Sequence, residues 1–145
     1  MARYDGSDFS IDLPDEAINA TVHAFAFPQG RLHTPTLFIR SEHPHSPVSL
    51  SDYVDSQVAL LQAANEALDV VRRRTGVWHG RDALDLLVDF GPPEQRLRQR
   101  LVYLDAKGEP QTIYILAATD TAETFAGNEA MFNAAILSFL PKPAE

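Results

Sequence analysis

Alternating and helical patterns of hydrophobic residues divide the chain into successive elements. Apolar and polar residues alternate with the period of a strand in six stretches, and the spacing becomes helical in two others. The strand-like stretches are residues 9–13, 20–27, 34–41, 82–90, 96–105 and 112–119, with a shorter piece at 77–79. Short turns join neighbouring strands, so we expect them to pair antiparallel. The pattern predicts an α+β fold, a twisted antiparallel sheet packed with a long helix and a C-terminal helix.

Sequence signals at their ends place the two helices. The first begins near Ser49, a good N-cap residue with Asp52 three residues on, and it fades after Arg74. Arg72–Arg74 would then complement the dipole at the helix C-terminus. The last helix opens with a capping box at Asp120–Glu123 and ends at Pro141. We therefore predict helices over most of 49–74 and 120–140.

Several predicted strands are apolar on both faces. In residues 20–27, Phe25 and Phe27 point one way, while Val22 and Ala24 point the other. Phe38 similarly opposes its neighbours in the next strand. One face can pack on the helices, but the second must also be covered. Its cover could be another helix of this chain, another subunit or a hydrophobic ligand.

Two glutamines interrupt these apolar faces. Gln99 lies between Leu97 and Leu101 on one face of a strand, and Gln57 lies on the helix face that carries Leu61. A buried amide without partners costs about 1–3 kcal/mol. Either the two glutamines bond each other or the backbone inside the core, or they serve the polar groups of a bound apolar helix.

Composition narrows the class of protein. The 145 residues fit a single domain spanning 1–145, and 45% hydrophobic content favours a folded globule. A net charge of −8 argues against nucleic-acid binding. There is no cysteine, no apolar run of the roughly 20 residues needed to cross a bilayer, and no apolar stretch typical of a signal peptide near the N-terminus. We therefore expect a cytoplasmic protein that does not insert into membranes.

Candidate catalytic and metal-binding groups are weak. The five histidines form no known motif, and no P-loop or nucleophile elbow is present. Glu42, His43 and His45 could approach a metal, although solvated polar residues explain this proline-rich loop as well. We expect no metal and no cofactor, and the site of an enzyme would lie around His79 or the strand that carries Asp82 to Asp89.

Acidic and basic residues alternate on two consecutive strands. Asp82, Asp85 and Asp89 could act as general acid and base, or they could face the arginines of the next strand. Those arginines are Arg96, Arg98 and Arg100. Ion pairs across the strands explain both the aspartates and the arginines without a ligand. The alternative is that the arginines bind an anionic ligand.

A series of short motifs resembles the DcrB-like proteins of the PsbP/Mog1-type fold and, within them, the Eag (effector-associated gene) chaperones of bacterial type VI secretion. The resemblance covers nearly the whole chain and rests on the order and spacing of the motifs. They are Leu13-Pro14-Asp15, Phe25 to Pro28, Arg40-Ser41, Asp52-Tyr53-Val54 with Gln57, Leu97-Arg98-Gln99, and Ala135 to Pro141.

The resemblance implies a chaperone without enzymatic activity. Eag chaperones are dimers that shield N-terminal transmembrane segments of secreted effectors before export, with glutamines contacting the bound helices. The client-binding residues implied for this chain are Val22, Ala24, Phe38, Gln57, Leu61, Leu97, Gln99 and Leu101. Ala24 is smaller and Phe38 bulkier than the family's usual residues. The alternative is a PsbP/Mog1-like adaptor that binds a folded protein, and an enzyme is the weakest interpretation.

Overall fold

The computed structural model describes residues 2–5, 9–15, 22–27, 34–65 and 67–141. The elements in chain order are β1 (Ala2–Asp5), β2 (Ser10–Leu13), β3 (Val22–Ala26), β4 (Thr36–Glu42), α1 (Leu50–Ala64), β5 (Asp69–Trp78), β6 (Arg81–Phe90), β7 (Leu97–Lys107), β8 (Thr112–Thr121) and α2 (Phe125–Leu137). One turn of 3-10 helix at Pro93–Gln95 connects β6 to β7.

Six strands form one sheet in the order β3-β4-β8-β7-β6-β5, with every neighbouring pair antiparallel. β1 and β2 form a separate antiparallel pair. Hairpins join β5 to β6, β6 to β7 and β7 to β8, as the short turns predict. The predicted fold class, an antiparallel sheet with two helices, is confirmed.

Helix α1 packs on one face of the sheet, called here the α1 face. Its start is fixed as predicted, because the Ser49 hydroxyl accepts a hydrogen bond of 3.1 Å from the backbone N–H of Asp52. Tyr53 of the helix meets Tyr103 of β7 edge to face. The buried residues of this core are Leu50, Tyr53, Val54, Leu84, Leu86, Val88, Leu101, Tyr103, Ile113, Ile115 and Ala117.

Helix α2 packs on the opposite face, called the α2 face, and builds a second core. The buried residues of this core are Leu37, Leu87, Val102, Leu116, Ala118, Phe125, Phe132 and Ile136. Phe132 contacts both Phe27 and Phe125. A helix of the same chain therefore covers much of the second apolar face, which is one of the three covers that the sequence leaves open.

The predicted end of the long helix is wrong. Helix α1 stops at Ala64, where the N–H and the side-chain amide of Asn65 both donate to the Leu61 carbonyl. Ala67 then adopts a positive φ of 50°, which turns the chain. Residues 69–78 form strand β5, favoured by the β-branched Val70, Val71 and Val77.

The N-terminal boundary of α2 also differs from its prediction. Asp120 is the buried end of β8 and not a helix cap, since its carboxylate accepts hydrogen bonds from the Thr121 N–H at 2.8 Å and from Asn128 at 2.6 Å. The helix begins five residues later, at Phe125. β1 is absent from the sequence prediction, and residues 20 and 21 of the second predicted strand lie outside the described residues.

Candidate functional site

Strand register brings several predicted client-binding residues onto one face of the sheet. Ala24 pairs with Phe38, Phe38 with Ala117, and Ala117 with Leu101. Paired residues in neighbouring strands point to the same side, so this set forms one row across β3, β4, β8 and β7. Leu101 belongs to the core under α1, and the row therefore lies on the α1 face.

A second row contains Gln99. Ala26 pairs with Thr36, Thr36 with Thr119, and Thr119 with Gln99. The side-chain amide of Gln99 donates a 3.0 Å hydrogen bond to the Thr119 hydroxyl. Gln99 is half-buried and has this single side-chain bond among the described residues, so its amide keeps unused hydrogen-bonding capacity.

Part of the α1 face has no helix above it in the described structure. Helix α1 packs mainly on β6 and β7, which β4 and β8 separate from β3 in the sheet. Val22 is 51% exposed and Phe38 38% exposed, and Ala24 is exposed as well. We call this uncovered area the open strip, formed by Val22, Ala24, Ala26, Thr36, Phe38, Thr119 and Gln99.

One flank of helix α1 borders the open strip. The Tyr53 hydroxyl bonds Glu42 of β4, which shows that this flank faces the β4 side of the sheet. Gln57 follows one turn later on the same flank. Its side chain is half-buried and makes no hydrogen bond to any described residue. The helix runs toward the start of β5, so Gln57 and Leu61 lie toward the end of β7 that carries Gln99.

The remaining predicted residues have different surroundings. Leu101 is only 5% exposed, because α1 covers it, and it supports the surface from below. Leu61 is half-buried against the α1 core. Leu97 is half-buried one row beyond Gln99, where it pairs with Phe90 and Thr121. It also lines a cleft of about 540 Å³ with residues 93–96 and 121–123.

A charged network closes the far end of the open strip. Arg40 and Tyr53 both donate hydrogen bonds to the carboxylate of Glu42. Burial opposes ionisation of Glu42, but these two bonds outweigh it and hold its pKa below the usual value. Burial and the Glu42 contact raise the pKa of Tyr53, so its hydroxyl stays protonated and keeps donating. The charges here are satisfied within the chain.

The α2 face carries the predicted arginine and aspartate pairs. Arg98 donates to both carboxylate oxygens of Asp89, at 2.7 and 2.9 Å, and Arg100 does the same to Asp85, at 3.2 and 3.0 Å. The bonds to Asp89 raise the pKa of Arg98 above its usual value. Arg96 lies just before β7 and instead bonds Asp69 and the Gly91 carbonyl. The ion-pair interpretation of these residues is confirmed for Arg98 and Arg100.

The candidate metal ligands do not come together. The His43 ring lies 3.2 Å from both the Gln111 carbonyl and the Thr112 hydroxyl, while Glu42 is engaged by Arg40 and Tyr53. Over residues 2–5, 9–15, 22–27, 34–65 and 67–141, no group of three or more metal-ligating side chains is close enough to hold an ion. In the same part of the chain, no helix is both long and apolar enough to cross a membrane.

A family model decides the classification. The DcrB model matches residues 9–138. The chain belongs to the DcrB family. No curated protein matches the sequence significantly.

Solved structures with the same fold have little sequence in common with this DcrB-family chain. A protein of unknown function from Pseudomonas aeruginosa is 19% identical, covers 99% of each chain and superposes with a TM-score of 0.77. LpqN of Mycobacterium tuberculosis, involved in cell envelope biogenesis, is 7% identical over 84% of this chain and 83% of its own, with a TM-score of 0.58. Cyanobacterial PsbP from Synechocystis is 8% identical over 97% and 92%, with a TM-score of 0.55. These similarities establish the PsbP-like fold.

Sequence reasoning missed some residues around the open strip. Leu60 is 63% exposed on the same flank of α1 as Gln57, three residues away. Ala26 is expected on the same strand face as Ala24, since simple alternation places both there, but the predicted client-binding residues do not include it. Thr36 and Thr119 could be placed only from the register of β4 with β8, which sequence periodicity does not give.

Proposed function

We propose that this chain is a cytoplasmic chaperone that binds and shields N-terminal transmembrane helices of a type VI secretion effector before export. The observation that carries the proposal is the open strip, an exposed apolar area of the sheet bordered by the Gln57 amide, which has no partner among the described residues. The resemblance to Eag chaperones supplies the class of client. The function is binding and not catalysis.

The chemistry of the open strip suits an apolar helix. Its strand positions carry alanine, valine, phenylalanine, threonine and glutamine, and the charged side chain beside Val22, that of Arg40, is paired with Glu42. A transmembrane helix exposed to water would aggregate, and burial of apolar surface favours its capture by about 25 cal/mol per Å². The small side chains of Ala24 and Ala26 let a helix approach the strands closely. The surface therefore offers apolar contact without requiring a buried charge.

The glutamines add polar contacts that a client helix can use. Serine, threonine or strained backbone carbonyls of a transmembrane helix need hydrogen-bond partners when the helix leaves the bilayer. Gln57 is unpaired within the described residues and Gln99 has one bond, so both can donate or accept without breaking the fold. In this proposal Gln99 keeps its hydrogen bond to Thr119 and uses its remaining donor and acceptor groups to bind the client helix.

A homodimer is part of the proposal. The open strip of one chain can cover only one side of a client helix, and a second copy of the chain would cover another side of it. Affinity should be moderate, since the client has to be released for export, and ATP is not required.

The experiment is coexpression with a defined client. The N-terminal apolar segments of an effector encoded beside this chain are tagged, and the copurified chaperone is quantified. Gln57→Lys with Gln99→Lys should lower capture by about tenfold or more, because each lysine would bring an unpaired charge against an apolar helix. Gln62→Lys is the matched control, since Gln62 is exposed on the opposite side of α1 and should leave capture unchanged.

Two outcomes would contradict the proposal. Capture that survives the double substitution in a folded protein would remove the open strip from the binding site. Capture that persists after deletion of the effector's apolar segments would favour the alternative, an adaptor for a folded protein surface. Thermal unfolding of each variant separates loss of binding from loss of fold.

A further inference from the structure

Strand β5 is an edge of the sheet with an unusual composition. It is ten residues long, and none of the backbone hydrogen bonds recorded for the described residues links its outer side to another segment. Val71, at an irregularity in its register with β6, is 48% exposed. Long exposed edges invite pairing with another chain, and three consecutive arginines, Arg72–Arg74, occupy this one.

Two of these arginines compete for one carboxylate. Arg74 pairs with Asp85, and Asp85 binds Arg100, which reaches Asn133 of α2, so this group lies on the α2 face. One oxygen of Asp85 lies 3.8, 3.2 and 3.0 Å from guanidinium nitrogens of Arg72, Arg74 and Arg100. Three positive charges therefore share one negative charge, in a chain whose net charge is −8.

Arg72 is the least satisfied member of the group. Its Nε is buried and has no hydrogen-bond partner in the part of the chain that the structure describes, and its closest nitrogen to Asp85 is beyond hydrogen-bond distance. Arg74 has a side chain 59% exposed, so it is accessible from solvent. Each arginine has N–H groups available for an incoming carboxylate.

A hollow continues the same side of β5. Gly76 and Trp78 follow Arg74 at alternate positions, and a Cβ placed on Gly76 would meet nothing within 4 Å. The hollow has a volume of about 210 Å³ and is lined in part by Arg74, Gly76, Trp78, Ala83 and Val102. It is large enough for an apolar side chain.

We propose that the outer edge of β5 binds an extended acidic segment of a partner protein by strand addition. Alternate side chains of an added strand fall beside alternate residues of β5. Two acidic residues, separated by one residue, would face Arg72 and Arg74. An apolar residue at the next alternate position would enter the hollow beside Trp78. The main chain supplies affinity, and the arginines and the hollow select the sequence.

Charge favours this partner over a second copy of β5. Antiparallel pairing of β5 with itself about its middle would place the arginine run of one copy beside that of the other, and like charges facing each other across strands are destabilising. Sliding the pair to avoid this contact leaves few residues paired. An acidic strand meets no such repulsion.

This inference is independent of the proposed chaperone function. The open strip begins at β3, at one end of the strand order, and β5 is at the other end. Both surfaces can therefore be occupied at once, and loss of one should leave the other intact.

The test uses a short fluorescein-labelled peptide with alternating aspartates followed by leucine at the next alternate position, measured by fluorescence anisotropy with the full chain. Arg72→Glu with Arg74→Glu should weaken binding by about tenfold or more, and added salt should weaken the wild-type complex. Arg3→Glu is the control, because Arg3 is an exposed strand arginine outside the six-stranded sheet, and it should bind normally.

Three further measurements complete the test. N-methylation of alternate peptide residues should abolish binding if the main chain pairs with β5, and a peptide with asparagine in place of aspartate should bind weakly. Unchanged binding to the folded double variant would overturn the proposal. Sedimentation showing a dimer that Val71→Lys dissociates would assign the edge to a second copy and overturn it as well.

Discussion

The two faces of the sheet satisfy their polar groups in different ways. On the α2 face, Asp120 bonds Asn128, and Arg98 forms a bidentate pair with Asp89. On the α1 face, within the described residues, Gln57 has no partner and Gln99 has one bond, beside the exposed Phe38. Both faces place polar groups next to apolar ones, but these α2-face groups are paired within the chain, whereas the two glutamines of the α1 face keep hydrogen-bonding capacity unused among the described residues.

This contrast separates two reasons for a polar residue on an apolar face. A group that is paired inside the core stabilises one arrangement of the chain, and removing its partner is costly. A group that keeps spare hydrogen-bonding capacity beside open apolar area contributes little to folding and is free to meet another molecule. Sequence alone shows both kinds as interruptions of a hydrophobic pattern.

Phenylalanines on the two faces should give the largest difference. Phe132 of α2 is fully buried, so Phe132→Ala should lower the free energy of unfolding by about 3–5 kcal/mol. Phe38→Ala should lower it by less than about 1 kcal/mol, because its side chain is 38% exposed. Urea denaturation followed by circular dichroism measures both. Equal losses would show that the open strip is part of the core.

Breaking an ion pair on the α2 face should have a smaller effect. Asp85→Asn leaves Arg100, whose side chain is largely buried, without its carboxylate, and should cost about 2–3 kcal/mol of unfolding free energy. Asp82→Asn is the control, since Asp82 is exposed and lies 3.5 Å from Lys107, and it should cost less than about 0.5 kcal/mol. If Asp85→Asn left the free energy of unfolding unchanged, the ion pair between Asp85 and Arg100 would contribute nothing to stability.

Loss of the Tyr53 hydroxyl should have the smallest effect and should depend on pH. Tyr53→Phe removes a hydrogen bond to Glu42 and should cost about 1 kcal/mol near neutral pH. The folded-state pKa of Glu42 is lowered, so its stabilisation is present above the unfolded pKa of about 4.3 and is lost as pH falls through the folded value. The difference in melting temperature between wild type and variant should therefore shrink on acidification. A constant difference across this range would contradict the assigned role of Glu42.

Most of the strands were predictable, and the exceptions have physical causes. Alternation locates β6, β7 and β8 to within a few residues, because each is half or fully buried on defined faces. β5 was assigned in part to the long helix, since its arginines fit the C-terminal end of a helix as well as a strand. The valines of β5 favour a strand, but it is the pairing of this segment with β6 that makes it a strand and not a helix.

The candidate site was predictable in part. Alternation places Gln99 with Leu97 and Leu101, and helical spacing places Gln57 with Leu61. That the two glutamines lie on one side of the sheet could be inferred only with the strand order, in which β8 lies between β4 and β7. The exposure of Phe38 and the burial of Leu101 depend on where α1 crosses the sheet, which local patterns do not specify.

Because the sheet lies between two separate hydrophobic clusters, substitutions on one side reach the other only through the strand backbone. The open strip can then change its side chains over evolutionary time while Phe132 and Ile136 continue to hold the opposite side together. Such a division makes the protein readily evolvable. New ligands could be acquired by drift across a few strand positions, without the loss of foldability that usually accompanies altered packing.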